Sequence, residues 1–433
     1  MKTVHNPSRD QWEDLLRRPT HKFKKIEKIV SPILKKVKQK GDKALRQFSL
    51  EYDHVELNEL AVSEAEIKAA QAHIRPELKE AIGVAKANIE KFHQAQHTEA
   101  LSVETMPGVR CERRSVPIDK VGLYIPGGTA PLFSSVLMLG VPAMLAGCRE
   151  VILCTPPDRK GSVHPAILYT AALIGIRRIF KVGGAQAIAA MAYGTESIPN
   201  VYKIFGPGNQ YVTVAKQLVG RSGVAIDLPA GPSEVAVLAD KTAHPDFIAA
   251  DLLSQAEHGV DSQVVLVSTD ATLVERVQEA LVHQVAALPR RDIAEQALDN
   301  SIAIVVRDLK EAYALLNEYG AEHLIIATAH PHDAVGPIVN AGSVFLGHYT
   351  PESAGDYASG TNHTLPTNGV AKAYSGVSLD SFVKKITYQE ITPEGLQQLG
   401  PHVAVMAEAE ELVAHQRAVT LRLDALNRSR RRK

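Results

Sequence analysis

The chain has 433 residues, and its 48 Lys and Arg balance 48 Asp and Glu. At roughly 150 residues per domain, that leaves room for two to three domains, each with a substantial core. An apolar fraction of 45% excludes disorder as the main state, and zero net charge argues against binding carried by phosphate neutralisation. The three cysteines, Cys111, Cys148 and Cys154, are odd in number and widely spaced. They exclude a disulfide framework and a thiolate zinc cage, and they point to a reducing compartment.

Residues 1–18 mix His5, Asp10, Glu13 and Asp14 with basic side chains and show no apolar run of a targeting segment. The first hundred residues read as helices: Ile26, Val30, Ile33, Leu34 and Val37 recur at helical spacing, and 64–96 continues in that style. Residues 121–148 carry no charged side chain, yet Gly127, Gly128, Pro131, Gly140 and Pro142 interrupt them. A membrane span must satisfy every backbone group internally, so a buried strand, a Gly-rich turn and a buried helix explain this stretch better.

From 120 onward short β-branched runs alternate with helical stretches. Strands are expected at 121–125, 151–154, 178–182, 202–205 and 224–228, with helices at 131–146, 165–173, 185–193 and 210–218 between them. A second series places strands at 234–238, 263–267, 302–306, 323–327 and 342–346, with helices at 246–255, 272–285, 309–318 and near 332–339. Such alternation is the signature of parallel sheets wrapped by helices, an α/β fold. The segment Pro229-Ala230-Gly231-Pro232-Ser233 is rich in turn residues and suits a crossing between domains. The opening helices have few strands of their own and are expected on the second sheet. From 378 the pattern is helical again, and the tail Arg428, Arg430, Arg431, Arg432, Lys433 reads as a frayed terminus. The resulting division is an arm at 1–20, one α/β domain from 21–104 with 234–377, another at 105–233, and a small helical region at 378–433.

The Gly-x-Gly-x-x-Gly dinucleotide fingerprint is absent; Gly206-Pro207-Gly208-Asn209-Gln210-Tyr211 lacks its third glycine. Three strand-to-helix turns are still rich in small and polar residues: 124–128, Gly183-Gly184-Ala185-Gln186, and 206–210. Each alone reads equally as a tight turn. Together they mark a binding edge, because ligands of open α/β sheets sit at the carboxyl ends of strands. In Ser254-Gln255-Ala256-Glu257-His258-Gly259, Gln255 and His258 share a helical face near a helix end. Alone, His258 reads as well as a partner of the helix dipole. Glu322-His323, before the apolar run Leu324-Ile325-Ile326, suits an acid/base pair or a polar strand edge. The segment 351–363, with Asp356, Asn362 and His363, is a loop without periodicity and dense in hydrogen-bonding groups. Glu410 and His415 lie on a late charged helix, where His415 reads as a solvated residue.

These motifs, in this order, resemble the histidinol dehydrogenase family over essentially the whole chain. They are Gly122-Leu123-Tyr124-Ile125-Pro126-Gly127-Gly128, Phe205-Gly206-Pro207-Gly208-Asn209, Ala230-Gly231-Pro232-Ser233-Glu234, 253–259, Glu322-His323-Leu324 and 351–363. The resemblance implies two incomplete Rossmann-like domains, in keeping with the missing fingerprint, plus a small helical domain in a homodimer interface. It implies one zinc per subunit on Gln255, His258, Asp356 and His415, the last from across the dimer, with these ligands also facing the substrate. Ser233, Glu322, His323, His363 and Glu410 would contact L-histidinol, Glu410 again across the interface, with Glu322 and His323 catalytic. Tyr124, Gln186 and Asn209 would contact NAD. The implied reaction is a four-electron oxidation of histidinol to histidine in the cytoplasm.

Overall fold

The alternation of short apolar runs with helices becomes two parallel sheets in a computed structural model, which describes residues 1–19, 23–127, 130–228 and 231–430. In chain order the strands are β1 (Lys2–His5), β2 (Leu101–Met106), β3 (Val109–Pro117), β4 (Lys120–Tyr124) and β5 (Glu150–Thr155). They continue with β6 (Arg178–Lys181), β7 (Lys203–Phe205), β8 (Ala225–Ile226), β9 (Glu234–Ala239) and β10 (Gln263–Ser268). β11 (Ile302–Val305), β12 (His323–Ala327), β13 (Ser343–Leu346) and β14 (Val383–Ile391) complete them. The first sheet runs β6-β5-β4-β7-β8 and the second β1-β11-β10-β9-β12-β13, every pair parallel. The strands β9, β10 and β12 are buried at every position, as continuous apolar runs covered on both faces must be. The α/β expectation holds.

Three features depart from the sequence reading. The opening helices pack on the first sheet, not the second. The helix Phe23–Phe48 lies against the helices Gly184–Tyr193 and Gln210–Gly220, and Pro76–Gln94 lies against Phe133–Leu145. Its stripe Ile26, Val30, Ile33, Leu34 and Val37 joins one core with Ile188, Met191, Val201 and Val212. Periodicity tells that a face is apolar, but not which sheet will cover it. Next, residues 2–5 form a parallel edge strand, Lys2 opposite Ile302 and His5 opposite Val305. Finally, β14, β3 and β2 form a separate antiparallel sheet, where only helices were expected after 378. β2 and β14 expose most residues on both faces, so they carry no alternation to read.

The chain divides into two compact units, Met1–Gln96 with Ile118–Phe382, and His97–Pro117 with the segment from Val383 onward. Both parallel sheets fall in the first. The second holds the antiparallel sheet and the helices Pro393–Ala409 and Val413–Arg430. The uncharged stretch 121–148 resolves into β4 and the buried helix Phe133–Leu145, and among the described residues no helix is long and apolar enough to cross a membrane. Gly128, Pro229, Ala230 and the tail residues Arg431, Arg432 and Lys433 lie outside the described residues.

After β7 the chain turns sharply at Gly206, whose φ of 133° suits glycine. A Cβ there would lie 2.0 Å from the Tyr124 carbonyl oxygen. The turn is held by a buried pair: Lys216 contacts Asp227 and donates to the Gly206 carbonyl at 2.9 Å, while the Gly206 N–H donates to Asp227 at 2.8 Å. Gly206→Ala is therefore expected to cost about 2–4 kcal/mol through strain and overlap. Gly220→Ala, with nothing within 4 Å of the added methyl, should stay within about 0.5 kcal/mol of the parent. Thermal denaturation of the two variants side by side checks this.

Candidate active site

His323 opens β12, beside Val235 of β9, and is nearly fully buried. Four groups surround its ring. Gln255 Nε2 stands 2.8 Å from Nδ1, and Asp356 Oδ1 stands 3.2 Å from Nε2. Glu322 Oε2 is 3.6 Å from Nδ1, and the Glu234 carbonyl is 3.3 Å from it. Glu322 is fixed in turn by the main-chain N–H of Glu234, which donates to its Oε2 at 2.9 Å. The helix Pro245–Ala256 follows β9 and runs back along the sheet, so its last turn delivers Gln255 to the amino-terminal edge of the strands. His258 follows just past the helix end, exposed, with Nδ1 3.5 Å from Ser233 Oγ.

With Gln255 Nε2 donating, Nδ1 accepts while Nε2 donates to Asp356; the Glu234 carbonyl and Glu322 carboxylate beside Nδ1 are acceptors that only a protonated ring would meet. Burial disfavours its charged form, but Glu322 and Asp356 outweigh burial and hold the pKa of His323 well above the usual imidazole value. The two carboxylates thus favour the protonated ring, and a base role for His323 requires Asp356 to be drawn away from it. Asp356 is likewise buried, and His323 overcomes that penalty to keep its carboxyl below the ordinary range. Burial lowers the His363 pKa, with Asp356 pulling the other way.

The segment 351–363 is partly regular: the helix Glu352–Tyr357 carries Asp356, and the chain then returns to His363. The His363 ring bridges the two halves of the first unit. Its Nδ1 meets the Asp356 carbonyl at 2.9 Å and its Nε2 meets Ser135 Oγ at 3.1 Å, on the helix that follows β4. Thus Ser233, Gln255, His258, Glu322, His323, Asp356 and His363 gather at one edge. Glu410 and His415 belong to the second unit, where both are exposed.

The orientation of Gln255 leaves its Oε1 buried without a hydrogen-bond partner. Among the described residues no three His, Cys, Asp or Glu side chains converge as a metal site. The expected ligand set places only two such residues, His258 and Asp356, in this unit beside Gln255.

At the first sheet the three turns face a cavity of about 960 Å³, near the upper end of the range of about 300–1,000 Å³ for small-molecule sites. Tyr124, Gln186 and Asn209 all line it. The Tyr124 hydroxyl accepts the Gly184 N–H at 3.0 Å, and burial pushes its pKa up to about 12, so its proton stays available for donation. Asn209 caps the helix Gln210–Gly220 by accepting from the N–H groups of Tyr211 and Val212. One wall is contributed from far away in sequence: Ile29, Ile33, Tyr52 and Asp53. Asp53 Oδ2 is buried without a partner, and burial lifts its carboxyl to about 6.

Sequence reasoning missed several groups. Glu352 is fully buried beside Ser254, which donates to Oε1 at 2.7 Å, and burial raises its carboxyl to about 8. Its place in the segment 351–363 was the available signal. Ser135, Glu234 and Arg18 had none, since each acts through a partner distant in the chain.

The family model described as histidinol dehydrogenase matches residues 16–423. The histidinol dehydrogenase of Bacteroides fragilis (strain YCH46) is 59% identical over 428 residues, covering 99% of this chain and all of that one. That of Pectobacterium atrosepticum is 53% identical over 420 residues, 96% of this chain and 94% of its own. The crystal structure of histidinol dehydrogenase from Elizabethkingia anophelis superposes with a TM-score of 0.96 at 54% identity, covering 99% of each chain.

Neither buried cysteine suits nucleophilic attack. Burial pushes the Cys148 thiol up to about 11 and Cys154 higher still, whereas a reactive cysteine needs its thiolate. Cys148 and Cys154 should resist alkylation near pH 7 in the folded protein and react only on unfolding. Mass spectrometry of the native protein after iodoacetamide treatment decides this, and rapid labelling of either would contradict it.

Proposed function

The chain belongs to the histidinol dehydrogenase family, and from that we propose that it oxidises L-histidinol through bound histidinal to L-histidine, using two NAD and one zinc. It is an NAD-dependent oxidoreductase of the last step of histidine biosynthesis. The observation that carries the finer reading is the convergence of Gln255, Glu322 and Asp356 on the buried His323.

The donor set fits zinc. Gln255 Oε1 is a buried oxygen with both lone pairs uncommitted, and Asp356, at the other nitrogen of the His323 ring, is a carboxylate kept ionised. With His258, and with His415 of the partner subunit in a homodimer, they would make a four-ligand N/O site. Zinc held there supplies a template that orients the imidazole and amine of histidinol. Ser233, His363 and, from the partner, Glu410 would complete the substrate contacts. We assign NAD to the first-sheet cavity, with Tyr124, Gln186 and Asn209 on its wall. The three unpaired cysteines suit a cytoplasmic setting.

The chemistry asked of the side chains is proton handling. In the first oxidation the substrate hydroxyl loses its proton to His323 as hydride leaves for the nicotinamide, giving the aldehyde and NADH. Gln255 and Asp356, once engaged as ligands, no longer occupy the ring, which frees it for this role. After cofactor exchange Glu322 takes a proton from water as its oxygen adds to the aldehyde, and His323 returns its proton to the former carbonyl oxygen, giving the hydrate and a neutral ring. His323 then accepts the hydrate's proton while the second hydride departs. Overall, histidinol, water and two NAD give histidine, two NADH and three protons.

Two measurements test this. NADH absorbance should show two equivalents per histidinol, lost on chelation and regained with zinc; formation of histidine without NADH would refute the assignment. His323→Ala should lower both oxidations by roughly 10²–10⁴-fold, as expected for loss of a general base. Glu322→Gln should spare the first and depress the second, and equal loss of both would remove the division of roles.

A further inference from the structure

We propose that Arg18 is a positioning residue for the second oxidation: it pins Glu234, whose main-chain N–H holds Glu322. This rests on the reading of Glu322 as the water-activating base. Arg18 precedes the opening helix and is separated by 216 positions from Glu234. Its Nε lies 2.6 Å from Glu234 Oε1 and its Nη2 lies 2.9 Å from Oε2, the two-pronged geometry that only arginine offers. Nη2 also donates to the Tyr319 carbonyl at 2.8 Å, and the guanidinium stacks 4.0 Å from the centre of the Tyr319 ring. The Tyr319 hydroxyl donates to Gln263 Oε1 at 3.0 Å, and Gln263 Nε2 donates back to the Arg17 carbonyl at 3.1 Å. The ring of contacts closes on the backbone of the arm itself.

What this assembly holds is the first residue of β9. The Glu234 side chain is 2% exposed and also accepts the Asn368 N–H at 2.7 Å. Its main-chain N–H is the donor to Glu322 Oε2, and its carbonyl approaches His323 Nδ1. Two buried carboxylates, Glu234 and Glu322, therefore sit next to each other, and Arg18 compensates one of them. Breaking a buried pair from one side leaves an unpaired charge that must take a proton or move toward water. Either outcome shifts the peptide group that grips Glu322. A misplacement of about 1 Å is enough to cost on the order of a hundredfold in rate.

The test uses the full-length enzyme with zinc bound, assayed separately with histidinol and with histidinal as the starting substrate, each with NAD. Arg18→Met should lower kcat for histidinal by at least about tenfold. It should leave the KM for NAD unchanged and affect the histidinol step less. Arg18→Lys keeps the charge without the fork and should fall between. Arg18→Met combined with Glu234→Gln removes both charges but keeps the Glu234 peptide, and should recover most of the lost kcat. Histidinal oxidation within about twofold of the parent in Arg18→Met, or equal loss of both steps with no recovery in the double variant, overturns the proposal. If Arg18→Met fails to fold, Arg18→Lys and the double variant still decide: parent-like histidinal kcat in Arg18→Lys, or none restored in the double variant, refutes it. Glu322→Gln run in parallel separates the two readings. If that variant oxidises histidinal normally, the role of Glu322 fails; if it is inactive while Arg18→Met is not, only the role of Arg18 fails.

Discussion

A right-handed crossover between parallel strands forces each helix to run antiparallel to its strands, so every helix end lies at a predictable edge. The site exploits both edges. The first sheet presents the carboxyl ends of β4, β6 and β7, where turns and helix starts line the cavity. The second sheet presents its amino edge, because the helix after β9 must return there and bring Gln255 with it. Ser135, one helix beyond β4, meets His363 and ties these places together. A ligand spanning from one sheet to the other would thus meet main-chain donors at one end and ionisable side chains at the other.

Ionisable groups survive in this interior because each is matched. His323 is flanked by Glu322 and Asp356, Glu234 by Arg18, and Asp227 by Lys216. Such pairs contribute little net stability, since desolvation consumes most of their attraction, but they fix geometry. The Lys216–Asp227 pair shapes the turn at Gly206, and the Arg18–Glu234 pair shapes the edge beside Glu322. Glu352 and Asp53 are exceptions: each has a buried oxygen without a partner and a carboxyl raised by burial, to about 8 and about 6, which suits a neutral acid in Glu352.

The parallel strands were legible because burial on both faces demands unbroken runs such as Val264-Val265-Leu266-Val267. Turn chemistry marked Gly206 and Asn209 for the same local reason: a positive φ and an N-cap are written in one or two residues. The Glu322–His323 pair showed as a polar doublet at a strand start. The wall formed by Ile29, Ile33 and Asp53 did not show, because an apolar stripe carries no address for the surface that will cover it. Nor did β2, β3 and β14, whose polar, two-sided exposure hides the period of a strand. Arg18 was silent too, since the meaning of a lone arginine is set by a partner that only the folded chain supplies. The zinc, dimer and substrate assignments came from family resemblance, and no periodicity or spacing argument reached them.

The wall contributed by the opening helix separates two events in space. One side of the cavity is formed by the opening helix, seated by an apolar stripe, and by Tyr52 and Asp53 just after it, whereas the hydrogen bonds around His323 belong to the other sheet. A two-step oxidation asks a dinucleotide to leave and another to enter while a reactive aldehyde stays put. Here the door and the vault have different hinges: the side wall is seated by its apolar stripe and by its own polar ties, Asp42 to Ser197 and Glu27 to Arg221, none of which is shared with the groups around His323.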